Sequence, residues 1–510
     1  MEPALAAVDA ATPGGFLLVL AIAIPCAGVL LSLALGGRHV ERIALAVALA
    51  GCGIAAAIAA GVLQSGKSLV YFLGGWAPPV GVAFRADGLS AAMMVTAAVV
   101  MGATALFARP SFRQQPGSPE ARAPLMFWIL FQAVWGAVNA AFIGDDLFNL
   151  YVALELLTFS AVPMVCLDGR AETLAAALRY LLFALIGSSL YLLGTALIYG
   201  TYGTLDILLL SQRVSPEPAV LVAAALMTAG LLAKTALFPL HLWLPPAHAG
   251  APTAASTVLS ALVVKASFFV LLRLWFDALP GLMNLPAAEV LAALGSAAIL
   301  FGSVLALRQA RLKLLIAYST VAQIGYLFLM LPLASASAWS AAGSSGAFTG
   351  GVLQAISHAF AKAAMFMAAG LMAEALGHDR IAGLGGVGRA LPMTTFAFGL
   401  AGLSLMGLPP SGGFTAKSLL LIAAVEGGQW WWAIVILAGG LLTGGYVFRV
   451  MAAAAASADG PVAIGAPVAR SREAVVLAVA LCSVLLGLVP LSYFRLLHIG
   501  RLDLLAGHLP

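Results

Sequence analysis

Charge is what this sequence has least of. Only 9% of its 510 residues are Asp, Glu, Lys or Arg, against roughly 25% in an ordinary soluble chain. Hydrophobic residues make up 62%, and the mean hydropathy is +1.05. No water-soluble domain hides that much apolar surface, so lipid must be the solvent. Cysteine is scarce too: Cys26, Cys52, Cys166 and Cys482 each lie in or at the end of an apolar stretch, and no two have metal-ligand spacing. They read as small buried hydrophobes. There is no C-x-x-C, no glycine-rich dinucleotide fingerprint and no phosphate-binding P-loop. The expectation is a chain with no cofactor, no metal and no catalytic redox site of its own. The formal charge of +5 comes from scattered Lys and Arg with no basic run, which argues against nucleic acid as a partner. Residues 1–13 hold Glu2 and Asp9 and no basic residue. They lack the positive n-region of a cleavable signal, so the first apolar stretch is expected to be a permanent helix.

What is present is a succession of apolar runs. A helix needs about 20 such residues to cross the hydrocarbon core. About fourteen runs qualify, near 15–35, 43–63, 87–107, 125–144, 147–167, 174–200, 218–240, 253–275, 286–307, 312–333, 348–374, 393–424, 430–454 and 473–492. The fold class expected is an all-α membrane protein. The stretch around Trp76-Ala77-Pro78-Pro79 is too short and proline-rich to span. Connections after odd-numbered helices carry Arg38, Arg42, Arg109, Arg113, Arg122, Arg170, Arg308, Arg311, Lys313, Arg380, Arg389, Arg449, Arg470 and Arg472. Connections after even-numbered helices carry only Lys67, Arg85, Arg213 and, at a helix end, Arg273. The positive-inside rule then puts the odd connections in the cytoplasm of a multi-pass bacterial inner-membrane protein, and both termini on the other side.

Two helices are interrupted by proline. The seventh runs into Phe238-Pro239-Leu240-His241-Leu242-Trp243-Leu244-Pro245-Pro246, and the twelfth is broken at Pro409-Pro410. Lying five helices apart, they run in opposite directions. That is the pattern of inverted repeats with discontinuous helices at a transport site.

The few charges inside apolar runs are the functional candidates, because a charge at the bilayer centre costs about 2.5–3.5 kcal/mol on insertion scales. They are Glu155, Lys234, Lys265, Lys362 and Lys417, with His358 four residues before Lys362 on the same helix face. Burial moves both lysine and glutamate toward neutrality, and a nearby glutamate reverses the effect on a lysine, so a Lys–Glu pair that opens and closes can take up and release a proton. Histidine titrates near neutrality unaided. The plainer alternative for each is a structural ion pair or helix–helix contact, and for His358 a satisfied core imidazole. Arg179 and Lys313, near helix ends, read as snorkelling cations. His241 and His248 flank the seventh break, as loop caps or as relays. Asp145 and Asp146 open the fifth helix and are expected to cap it.

The stretch Lys234-Thr235-Ala236-Leu237-Phe238-Pro239-Leu240-His241-Leu242-Trp243-Leu244-Pro245 is specific, and Ala247-His248 and Ala251-Pro252-Thr253 continue it. So are Lys313 with Ala317-Tyr318-Ser319-Thr320, Gln323 and Gly325-Tyr326, and Gly407-Leu408-Pro409-Pro410-Ser411-Gly412-Gly413-Phe414 with Lys417. From about Gly74 to Arg449 the chain resembles the antiporter-like membrane subunits of respiratory complex I, membrane-bound hydrogenases and Mrp-type Na+/H+ antiporters. The stretch from Leu73 to Val82, followed by Ala86-Asp87-Gly88-Leu89-Ser90, looks most like the D-type component of the Mrp antiporters. The large quinone-enzyme branch with a long C-terminal lateral helix is disfavoured, since the sequence stops soon after helix fourteen.

The resemblance implies helices 4–8 and 9–13 as inverted repeats. The division expected is 1–124, 125–275 and 286–454, with the last helix and a short tail at 473–510. It also implies Glu155 and Lys234 as an ion pair, Lys265 as a bridging lysine, His358 and Lys362 as a connecting pair, and Lys417 as a terminal lysine. Two departures stand out. Pro245-Pro246-Ala247-His248 replaces the usual Pro-Asp-Ala-His, and Arg311-Leu312-Lys313-Leu314 replaces Asp-Leu-Lys-Arg.

The function expected is a proton-translocating subunit of a larger membrane complex, alone or in exchange for Na+ or K+, with other membrane subunits as partners. Two alternatives use the same residues: a proton-pumping membrane subunit of a quinone oxidoreductase or hydrogenase, and an energising subunit of an inorganic-carbon uptake complex.

Overall fold

A computed structural model describes residues 11–114, 121–282, 284–336, 341–457, 465 and 467–501. Within them, 13 helices are long and apolar enough to cross a membrane. In order they are Phe16–Leu35, His39–Ser65, Gly88–Ala108, Arg122–Ile143, Leu147–Val165, Ala171–Tyr202, Pro218–Thr235, Thr253–Ala278, Leu285–Arg308, Leu312–Ala334, Gly346–Leu376, Trp430–Ala455 and Arg470–Leu488. The remaining pass, twelfth in order, is a broken pair, Pro392–Met406 and Gly412–Glu426. The Trp430–Ala455 helix is therefore the thirteenth segment and Arg470–Leu488 the fourteenth. Each expected apolar run has become a segment, with ends shifted by a few residues. The largest shift is in the seventh, where regular helix stops at Thr235 rather than near 240. In the last, 3-10 turns replace α-helix from Leu486.

Segments 1, 2, 6 and 13 offer Leu30, Leu49, Leu182 and Leu441 outward, as lipid-facing helices must. Segment 8 is buried over nearly its full length, with Thr253, Trp275 and Phe276 half-buried. Two of its turns, Leu259–Val263 and Arg273–Ala278, are π-helical. Such wide turns recur at functional sites.

Both helix breaks use one backbone plan. Segment 7 ends with Ala236 in the left-handed region (φ 60°), and the Leu237 amide reaches back to the Leu232 carbonyl. The first half of segment 12 ends with Gly407 (φ 84°), and the Leu408 amide reaches back to Leu403. This six-to-one bond closes a Schellman cap. A cis X-Pro bond follows each, Phe238-Pro239 and Pro409-Pro410. Past the break, Trp243 donates from its indole to the Ala233 carbonyl (2.9 Å) and stacks on Tyr180 (4.2 Å). Ser411 then caps the second half of segment 12 by accepting from the Phe414 amide.

On the even-connection face, a short hairpin pairs Leu69–Phe72 with Ala83–Ala86. Its four-residue strands carry no periodicity long enough to read from sequence. This hairpin sets the fate of Asp145. Asp146 does cap segment 5, accepting from the amides of Phe148 and Asn149. Asp145, also expected to cap, instead takes the Arg85 guanidinium of the hairpin at 2.7 Å.

Beside it, Arg273 is not a loop cation. It is buried, 2.7 Å from both Asp87 and Asp277, with Ser90 at 2.8 Å. Burial alone would raise Asp87, but the Arg273 guanidinium holds its carboxyl below the usual range. Arg273→Met would strand two buried carboxylates. We expect a loss of about 3–5 kcal/mol, seen as a lowered thermal unfolding midpoint in detergent. An unchanged midpoint would show that the cluster contributes nothing to stability.

Candidate functional site

Glu155 lies two turns into segment 5, beyond its Asp146 cap. Lys234 sits in the last turn of segment 7. The Lys234 ammonium donates to Glu155 Oε1 at 3.2 Å, to Thr158 Oγ1 at 2.9 Å and to the Leu154 carbonyl at 3.4 Å. The Ser188 hydroxyl of segment 6 donates to the same carboxylate oxygen. The pair is thus a four-residue cluster with its charges 5% and 14% exposed. Thr158 and Ser188 carry no sequence signal that separates them from ordinary helix-interface hydroxyls.

Lys265 is fully buried in segment 8. Its ammonium bonds the Ser260 carbonyl in the π-helical turn. From there a series of polar contacts leads to segment 11. The Ser260 hydroxyl meets Thr320 Oγ1 at 3.0 Å, Thr320 donates to the Ile316 carbonyl at 3.0 Å, and the Lys362 ammonium donates to that same carbonyl at 3.1 Å and to the Ser319 hydroxyl. Lys265 and Lys362, nearly 100 residues apart in sequence, are therefore joined through the first turns of segment 10. Lys313, expected to snorkel, turns inward and donates to the Ala251 carbonyl at 3.0 Å.

His358 is fully buried, and neither ring nitrogen has a protein partner among the described residues. It lies within electrostatic reach of Lys265, Lys362 and Lys417. His248 shares that condition: it is buried, with both nitrogens unpartnered, stacked on Phe366 at 4.6 Å and within reach of Lys265, Lys313 and Lys362. His241 stands apart, packed against Phe238 and Phe301 on the wall of a cavity of about 300 Å³ shared with Arg179 and Tyr318.

Lys417 lies in the second half of segment 12 and curls back over the break. Its ammonium donates to the Leu405 carbonyl at 2.6 Å and to Met406 at 3.4 Å, and lies 4.0 Å over the Tyr326 ring. Two short links lead toward His358. Ser357 and Ser404 hydroxyls meet at 2.8 Å. Gln354 donates to Gln323 at 2.9 Å, and Gln323 donates to the Leu405 carbonyl at 3.2 Å. Glu374, an acid on segment 11, pairs with Arg472 at 2.7 Å at the far end of that segment. Among the described residues, no three of His, Cys, Asp and Glu assemble as a metal-binding set.

On the even face, Asp206 bridges to Asp146 and caps the short helix Ile207–Ser211. Burial and the neighbouring Asp145 push Asp206 up to about 6. A raised folded-state carboxyl favours the fold at acid pH, and that contribution is lost as pH rises through about 6. Asp206→Asn keeps the cap and removes the charge. It should raise the unfolding midpoint at pH 8 by a few degrees and leave it nearly unchanged near pH 3, below the ordinary carboxyl value of 3.8, where the carboxyl is protonated in both the folded and the unfolded chain. Equal shifts at both pH values would disprove the titration.

Two broken helices, each with a buried lysine at the break, and a polar path between their halves define an antiporter-like component of a proton-translocating membrane assembly. Residues 144–443 match the family described as NADH:quinone oxidoreductase/Mrp antiporter, TM, and the chain belongs to that family. It is 34% identical over 377 residues to the N component of the NADH-quinone oxidoreductase of Desulforudis audaxviator, covering 73% of this chain and 72% of that one. It is 30% identical over 366 residues to the D component of the Na(+)/H(+) antiporter of Alkalihalophilus pseudofirmus, covering 71% and 70%. Among solved structures, a chain of the Mrp complex from Dietzia sp. superposes with a TM-score of 0.86 at 25% identity, covering 97% of this chain and 98% of that one. A chain of the archaeal membrane-bound sulfane sulfur reductase gives 0.85 at 27% identity, covering 96% and 99%. The protein is a multi-pass membrane subunit, consistent with a bacterial inner membrane, and its structural neighbours are subunits of multi-subunit complexes.

Proposed function

We propose that this protein conducts protons along Glu155, Lys234, Lys265, Lys362, His358 and Lys417. Segments 4–8 and 9–13 form inverted repeats around that line, within the division 125–275 and 286–454. The odd face lies in the cytoplasm, and both termini lie outside. The observation that supports this most is the row of polar contacts from Lys265 through Ser260, Thr320 and Ile316 to Lys362. It runs through buried segments on two hydroxyls and the Ser260 and Ile316 carbonyls, where apolar packing would have been cheaper. The two hydroxyls both donate and accept and can pass a proton, whereas the carbonyls only accept and hold the lysine ammonium groups in place. The unpartnered nitrogens of His358 and His248 fit a hydrated interior, because buried polar groups find protein or water partners. His248 belongs beside the line, near Lys265. His241, set apart on its cavity wall, is assigned no relay step.

The ion exchanged for the proton is Na+, which the similarity to the D component of a Na(+)/H(+) antiporter supports, or K+. The second reading, a pump driven by redox subunits on other chains, is supported by the similarity to the N component of a quinone oxidoreductase. Purification in mild detergent with its co-purifying chains, then reconstitution in proteoliposomes with a pH-sensitive dye, tests both. Proton flux driven by an imposed Na+ or K+ gradient is expected. Flux that appears only with an electron donor would establish the redox-driven reading, and absence of flux under either drive would overturn the proposal.

A further inference from the structure

The two halves of the molecule hold their lysines differently. Lys234 has a carboxylate at 3.2 Å. Lys417 is equally buried, with 6% of its surface exposed, and no carboxylate among the described residues meets it. Its ammonium is instead enclosed by the Leu405 and Met406 carbonyls, left free by the helix break, and by the face of Tyr326 at 4.0 Å. We propose that Tyr326 is a positioning residue for Lys417, its ring face standing where the first half uses a carboxylate. This rests on the assignment of Lys417 to the proton path.

The chemistry of a ring differs from that of an acid in one decisive way. The negative face of the quadrupole attracts an ammonium, and more strongly when both are desolvated. Yet it carries no net charge and no lone pair that could take the proton. Lys234 can hand its proton to Glu155 or hold it against a fixed anion. Lys417 can do neither, and the Leu405 and Met406 carbonyls accept hydrogen bonds without taking a proton, so its proton leaves to water or to a base such as His358, which lies within electrostatic reach. The ring therefore retains the cation without competing for the proton.

The ring is also held in register. Tyr326 is fully buried on segment 10, and its hydroxyl donates to the Ile436 carbonyl of segment 13 at 3.3 Å. Opposite it is Gly439, where a Cβ would lie 2.3 Å from the tyrosine oxygen. A glycine there lets segment 13 close over the ring edge, fixing the face toward Lys417. Gln323, three residues earlier on segment 10, bonds the Leu405 carbonyl that also receives Lys417. One helix thus supplies both the face under the ammonium and a second donor to its carbonyl.

The test compares Tyr326→Leu, Tyr326→Phe and Tyr326→Trp in the reconstituted complex, each alone and with Lys417→Gln. Loss of the ring should lower proton flux about tenfold, the scale of a desolvated cation–π contact. Tyr326→Phe keeps the face and loses the hydroxyl, and should recover flux to within about threefold of wild type. In the Lys417→Gln background, Tyr326→Leu should have no further effect, since there is no cation left to hold. Gly439→Ala, which touches neither lysine nor ring face directly, should lower flux in the same direction as Tyr326→Leu.

Normal flux in Tyr326→Leu would overturn the inference, as would an equal loss in Tyr326→Phe or a further loss in the Lys417→Gln background. Normal flux in Lys417→Gln alone would overturn the underlying assignment of Lys417 instead. Recovery of intact complex from each variant separates these outcomes from misfolding.

Discussion

Glu155→Gln should leave an assembled complex and lower proton flux by about a hundredfold, the effect of breaking a close buried charge pair. Glutamine preserves the shape of the side chain and keeps an oxygen to accept from the Ser188 hydroxyl and from Lys234. What it removes is the anion that favours a proton on the lysine. A buried charge stripped of its partner shifts toward its neutral form rather than bearing the full cost of burial. Thr158 and the Leu154 carbonyl remain to bond the nitrogen. Folding should therefore suffer far less than transport. Measured as dye-reported flux in proteoliposomes, with complex recovery as the control, unchanged transport would return Glu155 to a purely structural role.

The second large effect concerns Lys417. Arginine at this position keeps a positive charge over the Tyr326 face and near the Leu405 carbonyl, but it stays protonated under all conditions met in a protein. If Lys417 works by gaining and losing a proton, Lys417→Arg should transport about as poorly as Lys417→Ala, each at a few per cent of wild type, on the order of 2 kcal/mol in the barrier. If it works only as a fixed charge, the arginine variant should transport normally while the alanine variant fails. The two outcomes are far apart, and the experiment needs only the same flux assay.

Much of this architecture was legible because lipid simplifies the code. Apolar runs separated by Arg, Pro and Gly give segments directly, and a lysine inside such a run has few innocent explanations. The double proline at 409–410 and Pro239 marked both breaks. Among the described residues no acid meets Lys417, and this too was readable, since Glu374 sits at a helix end.

What sequence could not give was partnership across distance. Ser260 and Thr320 look like any interface hydroxyls until segments 8 and 10 are packed together. Tyr326 belongs to a stretch recognisable by resemblance, but nothing local says that its ring lies under Lys417. Asp145 and Asp146 offered the same capping chemistry one residue apart. The hairpin that carries Arg85 decided between them, and its strands are too short to announce themselves. Arg273 reads from sequence only as a cation at a helix end; its enclosure depends on Asp87, far away along the chain, closing on it together with Asp277.

The shared plan of the two breaks has an electrical consequence. The C-terminal end of a helix carries a partial negative charge. Segment 7 enters from the even face, and its first half ends in the interior at Lys234. Segment 12 enters from the odd face, and its first half ends in the interior below Lys417. The two half-helices are therefore antiparallel dipoles, and their projections along the membrane normal oppose each other. A voltage across the bilayer exerts little net torque on this frame. It acts instead on the mobile charge, at about 2.3 kcal/mol per elementary charge per 100 mV. These two half-helices largely cancel, so on the proposed path the membrane potential would act on the proton rather than on the pair of helices beside it.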